Sequence, residues 1–575
     1  MVQKLNEQTI TLPQPLAEKV IEAQATWREN DNTRRLWSKD ASLWTGRDEA
    51  KWLGWLAVVD QELRDFSPLQ KFGRELSEES FADVLLLGMG GSSLGPEVLA
   101  KCLGSAPGYP RLHVLDSTDP QQVQRFERSV DLARTVFIVS SKSGTTLEPS
   151  VLMDYFFAQV SAAVSGAAAQ HFVAITDPGS QLQKIAEARG FRRIFHGVPD
   201  IGGRYSVLSH FGLVPLAATG HDVREFLETA RVMTQACGPD ILPSENPGVM
   251  LGLAIGVLAN AGRDKLTIVA SPSIEPFGAW AEQLLAESTG KNGKAVIPIA
   301  GEPLGKPSAY DTRRQFVYLR DAAHPDPAQD RTIGALAQAG HSVASIVLPS
   351  ARFLGQEFFR FEIATAVAGA VLGVNPFDQP DVEASKIATR AITEAFEQTG
   401  ALPSEQPVFE ADQIALYADQ RDAQTLRRCG AASTLESWFK AHLGQLTTGD
   451  YFALLAYLDA GEAQIKALQS IRSAVRDRTR TATCLQFGPR YLHSTGQAYK
   501  GGPNSGVFLG ITARPRPDIG IPGKKATFGV IEAAQARGDF RVLAERGRRV
   551  LHAHIVGDAN AGLAAISQAM RAALA

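Results

Sequence analysis

The chain has 575 residues, 44% of them apolar and 21% charged, with a formal charge of −3. That balance suits an ordinary globular protein of about two to four domains and argues against a general nucleic-acid or polyanion binder. Four widely spaced cysteines without a CxxC pair fit reduced thiols, and the opening MVQKLNEQTITLPQPLAEKV has no apolar leader, so a soluble cytoplasmic protein is expected.

Residues 1–80, rich in Trp, Leu and charge (WREND, RRLWSKD, EAKWLGWLAVVDQEL), predict a helical lead-in. From 81 onward, apolar runs alternate with helical segments. DVLLLGMG, RLHVLDS, TVFIVSS, HFVAITD and RRIFHG read as strands, several of them buried on both faces. A helical stretch at 222–262 precedes a second series, KLTIVAS, RQFVYLR and HSVASIVLP, interleaved with AWAEQLLAES and FFRFEIATAVAGAVLG. This alternation predicts an α/β protein with two doubly wound parallel sheets, over 81–220 and 221–390. A C-terminal α+β region over 391–575 opens helically with DYFALLAYLDAGEAQIKALQSIRSAV and turns glycine-rich at GPRYLHSTGQAYKGGPNSG.

Several stretches carry chemistry, each with a plainer reading beside it. SSKSGTT follows a predicted strand. Ser141, Ser143, Thr145 and Thr146 would stand at a helix start, with Gly144 letting backbone approach, which suits a phosphate. The plainer reading is a helix cap, although a cap needs only one hydroxyl. Lys142 lies in the same loop, but the hydroxyls suffice for an anion. LLLGMGGSSLGP resembles a dinucleotide turn, yet Ser93 stands where GxGxxG needs its last glycine. Asp116 at the next strand end keeps a weak nucleotide reading open. No P-loop pattern occurs.

In IGGRYSVLS, Arg204 follows two glycines and could meet an oxyanion or stand on the surface. In AWAEQLLAESTGKNGK, Gln283 and Glu287 share a helix face; Glu287 is either a carbon-acid base or a solvated glutamate. In NPFDQPDVEASK, Gln379 and Lys386 could reach one site or face solvent. His493 lies in a glycine-flanked loop, the most site-like setting of the eleven histidines, with His210 next and His113 reading as structural.

Taken together and in order, GMGGSSLGP, SSKSGTT, GGRYSVLS, AESTGKNGK and NPFDQPDVEASK resemble the signature blocks of the phosphoglucose isomerase family, over about 80–390. The two α/β units resemble its paired sugar-isomerase (SIS) domains. GPRYLHSTGQ, KGGPN and the Trp-rich start are similar to the isomerase half of bacterial transaldolase–phosphoglucose isomerase fusions. The 80 residues before the first sheet leave no room for a transaldolase barrel, so a functional link to a separate transaldolase is one expectation.

The resemblance implies reversible isomerisation of glucose 6-phosphate and fructose 6-phosphate through a cis-enediol, without cofactor or metal. It implies that Ser141, Ser143 and Thr146 hold the phosphate with Thr145 and Lys142 nearby, and that Gly91 and Ser92 line the sugar. Arg204 and the Gly203 backbone would stabilise the enediolate, Glu287 would move the proton, and Gln283 would position substrate. Lys386 would assist ring opening, with Gln379 near the phosphate. Family members place a ring-opening histidine between the glutamate and lysine blocks. Here only His324 and His341 lie there, in unfamiliar settings, so LHSTGQ is expected to deliver His493 instead. In many members that histidine comes from a neighbouring subunit, which leaves a homodimer or a monomer open here. Other SIS-fold enzymes acting on phosphomannose or aminosugars, and a non-catalytic sugar-phosphate sensor, are the alternatives.

Overall fold

The computed structural model describes residues 4–164, 166–411, 413–515 and 517–575; the first three residues of the lead-in lie outside it. It contains three sheets. After β1 (Glu7–Thr11), the first sheet is built from β2 (Asp83–Gly88), β3 (Arg111–Leu115), β4 (Thr135–Ser140), β5 (Phe172–Thr176) and β6 (Arg193–His196). Its order is β3-β2-β4-β5-β6, all parallel. The second sheet takes β7 (Lys265–Ala270), β8 (Ile297–Ala300), β9 (Arg314–Asp321) and β10 (Ser342–Leu348) in the order β1-β10-β9-β7-β8. Every strand expected in these two sheets is present. Strands β2, β4, β5 and β7 are buried along their whole length, as their unbroken apolar runs require.

Two short strands were not legible. β1 interrupts the helical lead-in and pairs antiparallel along the edge of β10, with Glu7 opposite Val347. Its five residues alternate only weakly, and its place is fixed by a partner strand more than 300 residues away. β8 contains Pro298, which a sheet accepts at its edge.

The C-terminal region holds a third sheet of β11 (Phe409–Ala411), β12 (Ile414–Tyr417), β13 (Tyr451–Tyr457), β14 (Ala482–Phe487), β15 (Gly506–Ala513) and β16 (Arg549–Ile555). Its order is β11-β12-β16-β15-β13-β14; the last four strands are parallel, and the β11–β12 pair joins antiparallel at one edge. The segment expected to be one helix from Asp450 divides into the buried strand β13 and the helix Glu462–Thr479. A short continuous apolar run such as YFALLAY is compatible with either form, and pairing on both sides decides it.

One apolar core is shared by the first two sheets, the long buried helix Leu354–Leu372 and the lead-in. Trp44 donates its indole N–H to the Ala366 carbonyl at 2.8 Å, and Trp55 stacks on Tyr205 at 5.2 Å, so the lead-in packs directly behind the Arg204 turn. The third sheet has its own core on one face. On its other side Tyr451, Tyr457, Tyr491 and Tyr499 pack with Ile297 and Ile299 of β8, joining it to the second sheet. No helix among the described residues is long and apolar enough to cross a membrane.

Candidate active site

The first sheet reverses its strand order between β2 and β4, and ligands of open parallel sheets bind beyond the carboxyl ends of strands at such a point. Both glycine–hydroxyl loops emerge there. After β4, residues 141–146 lead into the helix Leu147–Ala163. Thr146 occupies the cap position but makes no side-chain capping bond, which removes the plainer reading of this hydroxyl. The hydroxyls instead organise one another: Ser141 Oγ accepts from the Gly144 N–H (3.2 Å) and donates to Thr146 Oγ1 (3.4 Å), while Ser143 and Thr145 hydroxyls are 2.9 Å apart. Gly144 has φ +70°, and a Cβ there would meet the Leu182 nitrogen at 2.3 Å, so the turn requires glycine. The Lys142 ammonium does not join the hydroxyls' hydrogen bonds but is engaged by Asp177 and the carbonyls of Val198 and Pro199.

The hydroxyl loop forms one wall of a cavity of about 450 Å³. Thr145, Thr146, Glu148, Lys386, His493 and Gln535 all line it. Lys386 is half exposed, 3.7 Å from Glu383, on the helix Val382–Thr399. His493 Nε2 lies 2.9 Å from Glu148 Oε1. Because an ionised carboxylate only accepts, Nε2 carries the hydrogen and Nδ1 is the nitrogen left for a ligand. Glu148 is buried, which opposes its charge, but the charge and hydrogen bond of His493, reinforced by Lys386, hold its carboxyl below the usual range.

Next to this cavity lies a second group. Arg204 Nη1 is 3.1 Å from Glu287 Oε1, and both residues are buried. The guanidinium is fully engaged: Nε donates to Ser288 Oγ (2.8 Å), Nη1 to Gln379 Oε1 (3.0 Å), and Nη2 to the carbonyls of Pro376 (2.7 Å) and Asp378 (3.0 Å). The proline-fixed turn of NPFDQPD therefore wraps the arginine. Gln283 Nε2 donates to Glu287 Oε2 (3.1 Å) and to the His493 carbonyl (2.9 Å). His493 thus bridges the two groups, its ring in the cavity and its backbone on the glutamine beside Glu287. Lys291, one turn beyond Glu287, is buried 2.8 Å from Asp378; burial, aided by the Arg204 charge, pulls its ammonium down to about 7.

Gly91 and Ser92 pack on the Arg204 turn. A Cβ on Gly91 would lie 1.9 Å from the Gly203 carbonyl oxygen, so these loops approach at backbone contact. Asp116 accepts from Ser93 Oγ (3.0 Å) and pairs with Arg490 (3.4 Å), which leaves nothing of the nucleotide reading. His324 pairs with Asp321 on the surface, His341 is buried beside Phe316, His113 pairs with Asp83, and His210 lies by Glu62; none lines the cavity. Among the described residues no group of three or more His, Cys, Asp or Glu side chains is placed to hold a metal.

The His493 loop is fastened to the other blocks. Gln497 Nε2 donates to the Gly290 carbonyl (2.9 Å) and to Asp381 (2.6 Å), and its Oε1 accepts the Asp381 N–H (2.9 Å). Behind it Lys500 and Asp539 form a fully buried pair at 2.5 Å, and Asp539 also accepts from Tyr491 (2.6 Å) and Ser385 (3.2 Å). The sequence reading missed Glu148, whose place in the first turn of a helix looks like an ordinary acid at a dipole end. It lies two residues beyond SSKSGTT, which was the available signal. Gln535 carries no local signal at all.

A family model described as phosphoglucose isomerase matches residues 51–298. A glucose-6-phosphate isomerase of Trichormus variabilis is 30% identical over 405 residues, 63% of this chain and 73% of that protein. A probable glucose-6-phosphate isomerase of Methanococcus maripaludis is 28% identical, over 59% of this chain and 84% of that one. Among solved structures, a hypothetical protein of Thermus thermophilus matches 67% of this chain and 99% of its own, with TM-score 0.57 and 25% identity. A glucose-6-phosphate isomerase of Chlamydia trachomatis shares the fold over 64% of this chain and 78% of its own, with TM-score 0.50 and 23% identity. The chain belongs to the phosphoglucose isomerase family.

Proposed function

We infer that this chain is a glucose-6-phosphate isomerase that interconverts glucose 6-phosphate and fructose 6-phosphate in the cytoplasm. The observation that carries the reading is the buried Arg204–Glu287 pair at 3.1 Å, backed by Gln283 and set beside the hydroxyl-lined cavity. A C–H next to a carbonyl gives up its proton only to a positioned base, and the oxyanion that develops needs a fixed cation.

In this reading the hydroxyls of Ser141, Ser143, Thr145 and Thr146 hold the phosphate. His493, through Nδ1, moves the proton between the anomeric hydroxyl and the ring oxygen as the pyranose opens, with Lys386 alongside. Glu287 takes the proton from C2 and returns it to C1, while the fixed charge of Arg204, with the Gly203 backbone, stabilises the enediolate electrostatically. Gly91, Ser92 and Gln283 bound the sugar, and Gln379 reaches the site through Arg204. The loop that brings His493 to the cavity belongs to the same chain as Glu148, which supports delivery of the histidine in cis.

A coupled dehydrogenase assay on fructose 6-phosphate tests the reading, with turnover expected at neutral pH without added metal. Tight binding of sugar phosphate without turnover would favour a sensor instead.

A further inference from the structure

The contact between His493 and Glu148 continues through two further side chains, both buried. Glu148 Oε1, which faces His493 Nε2, also accepts from Gln535 Nε2 at 2.6 Å. Gln535 Oε1 in turn accepts from Thr118 Oγ1 at 2.7 Å. Thr118, Gln535 and Glu148 are at most 3% exposed. Thr118 follows β3, Glu148 follows β4, and Gln535 sits on the helix Phe528–Glu545 of the C-terminal region. That region therefore supplies both the histidine and the amide that touches its carboxylate partner.

The sense of the amide is fixed at its Glu148 end, and the Thr118 hydroxyl, able to donate or accept, then donates to its oxygen. Turned the other way, its oxygen would face a carboxylate oxygen at 2.6 Å, two acceptors with no hydrogen between them. A carboxylate that takes a donor from an amide shares its charge and holds the histidine proton less tightly than it would alone. The titratable groups facing Glu148 are His493, Lys386 on the helix Val382–Thr399 and Tyr457 on β13. Gln535 is the uncharged donor among them.

We propose that Gln535, oriented by Thr118, is a positioning residue for ring opening: it aims the Glu148 carboxylate and sets how strongly that carboxylate holds the proton of His493. The proposal rests on the reading of His493 as the ring-opening group. In the full-length chain, Gln535→Leu is expected to lower kcat on glucose 6-phosphate about tenfold, the scale of one hydrogen bond to a charged group, with KM within about twofold. Exchange between the α and β anomers, followed by NMR, falls by the same factor. Thr118→Val gives a smaller loss of the same kind. Gln535→Glu recovers rate only toward acid pH, where the introduced carboxyl keeps its proton and can donate.

The imidazole titration of His493, read by NMR in labelled protein, moves to higher pH in Gln535→Leu whether or not the chain turns substrate over. Failure of isomerisation in the wild-type chain would therefore count against the parent reading and leave this one measurable. An unchanged His493 titration in both Gln535→Leu and Thr118→Val would overturn the proposal and leave Gln535 as packing.

Discussion

The ring of His493 and the carboxylate of Glu148 are separated by 345 positions in the chain and by 2.9 Å in space. Among the described residues no other histidine lines the cavity. His493→Ala is therefore expected to slow turnover of cyclic substrate by about two to four orders of magnitude, the usual worth of a general acid–base group. Affinity for substrate should change little, because in the proposed reading the phosphate is held by the hydroxyls of residues 141–146 and not by His493. Anomer-resolved assays measure this directly; turnover of cyclic substrate at the wild-type rate would remove His493 from the mechanism.

Glu287 is placed differently, between Arg204 and Gln283. Glu287→Gln keeps the shape and loses the base. Isomerisation is expected to fall by about three orders of magnitude while substrate still binds and its anomers still exchange. Loss of both activities together would mean that the two proton transfers do not divide between Glu287 and His493 as assigned.

Lys500 and Asp539 are both fully buried, and Asp539 fastens Tyr491 and Ser385 on either side of the site. Lys500→Met leaves that carboxylate without its cation. A loss of about 3 kcal/mol is expected, seen as an earlier urea transition of the C-terminal region. The double change with Asp539→Leu should return part of that stability, since an apolar pair has no charge to desolvate. It should still leave activity low, because the contacts to Tyr491 and Ser385 are gone.

Glu282, beside Gln283, accepts from the Ala300 N–H (2.8 Å) and Gln486 (3.0 Å), and burial pushes its carboxyl up from 4.5 to about 7. A folded state that holds this proton more tightly than the unfolded chain gains from it fully below about pH 4.5. That gain is lost as pH rises through about 7. Glu282→Gln removes this dependence. Relative to the variant, the wild type is expected to lose stability between pH 5 and 8, with a slope of at most about 1.4 kcal/mol per pH unit. Melting temperatures of both proteins across that range check it; parallel curves would mean that Glu282 stays ionised in the fold.

The amino-acid sequence by itself determined the strands of the first two sheets, because parallel strands covered on both faces must be written as unbroken apolar runs. It also determined the hydroxyl loop at 141–146, since four hydroxyls in six residues exceed what a helix cap uses. It marked Arg204, Glu287, Lys386 and His493 as candidates, each with an equally local, ordinary explanation. Only the tertiary structure decided which of them stand together. It turned Lys142 onto Asp177, made β13 a strand by pairing it on both sides, and brought Glu148 and Gln535 to His493. The physical reason is the range of the forces concerned. Burial patterns and turn preferences act over a few residues and leave a record in the chain, whereas a hydrogen bond between side chains hundreds of positions apart leaves none until the fold has closed.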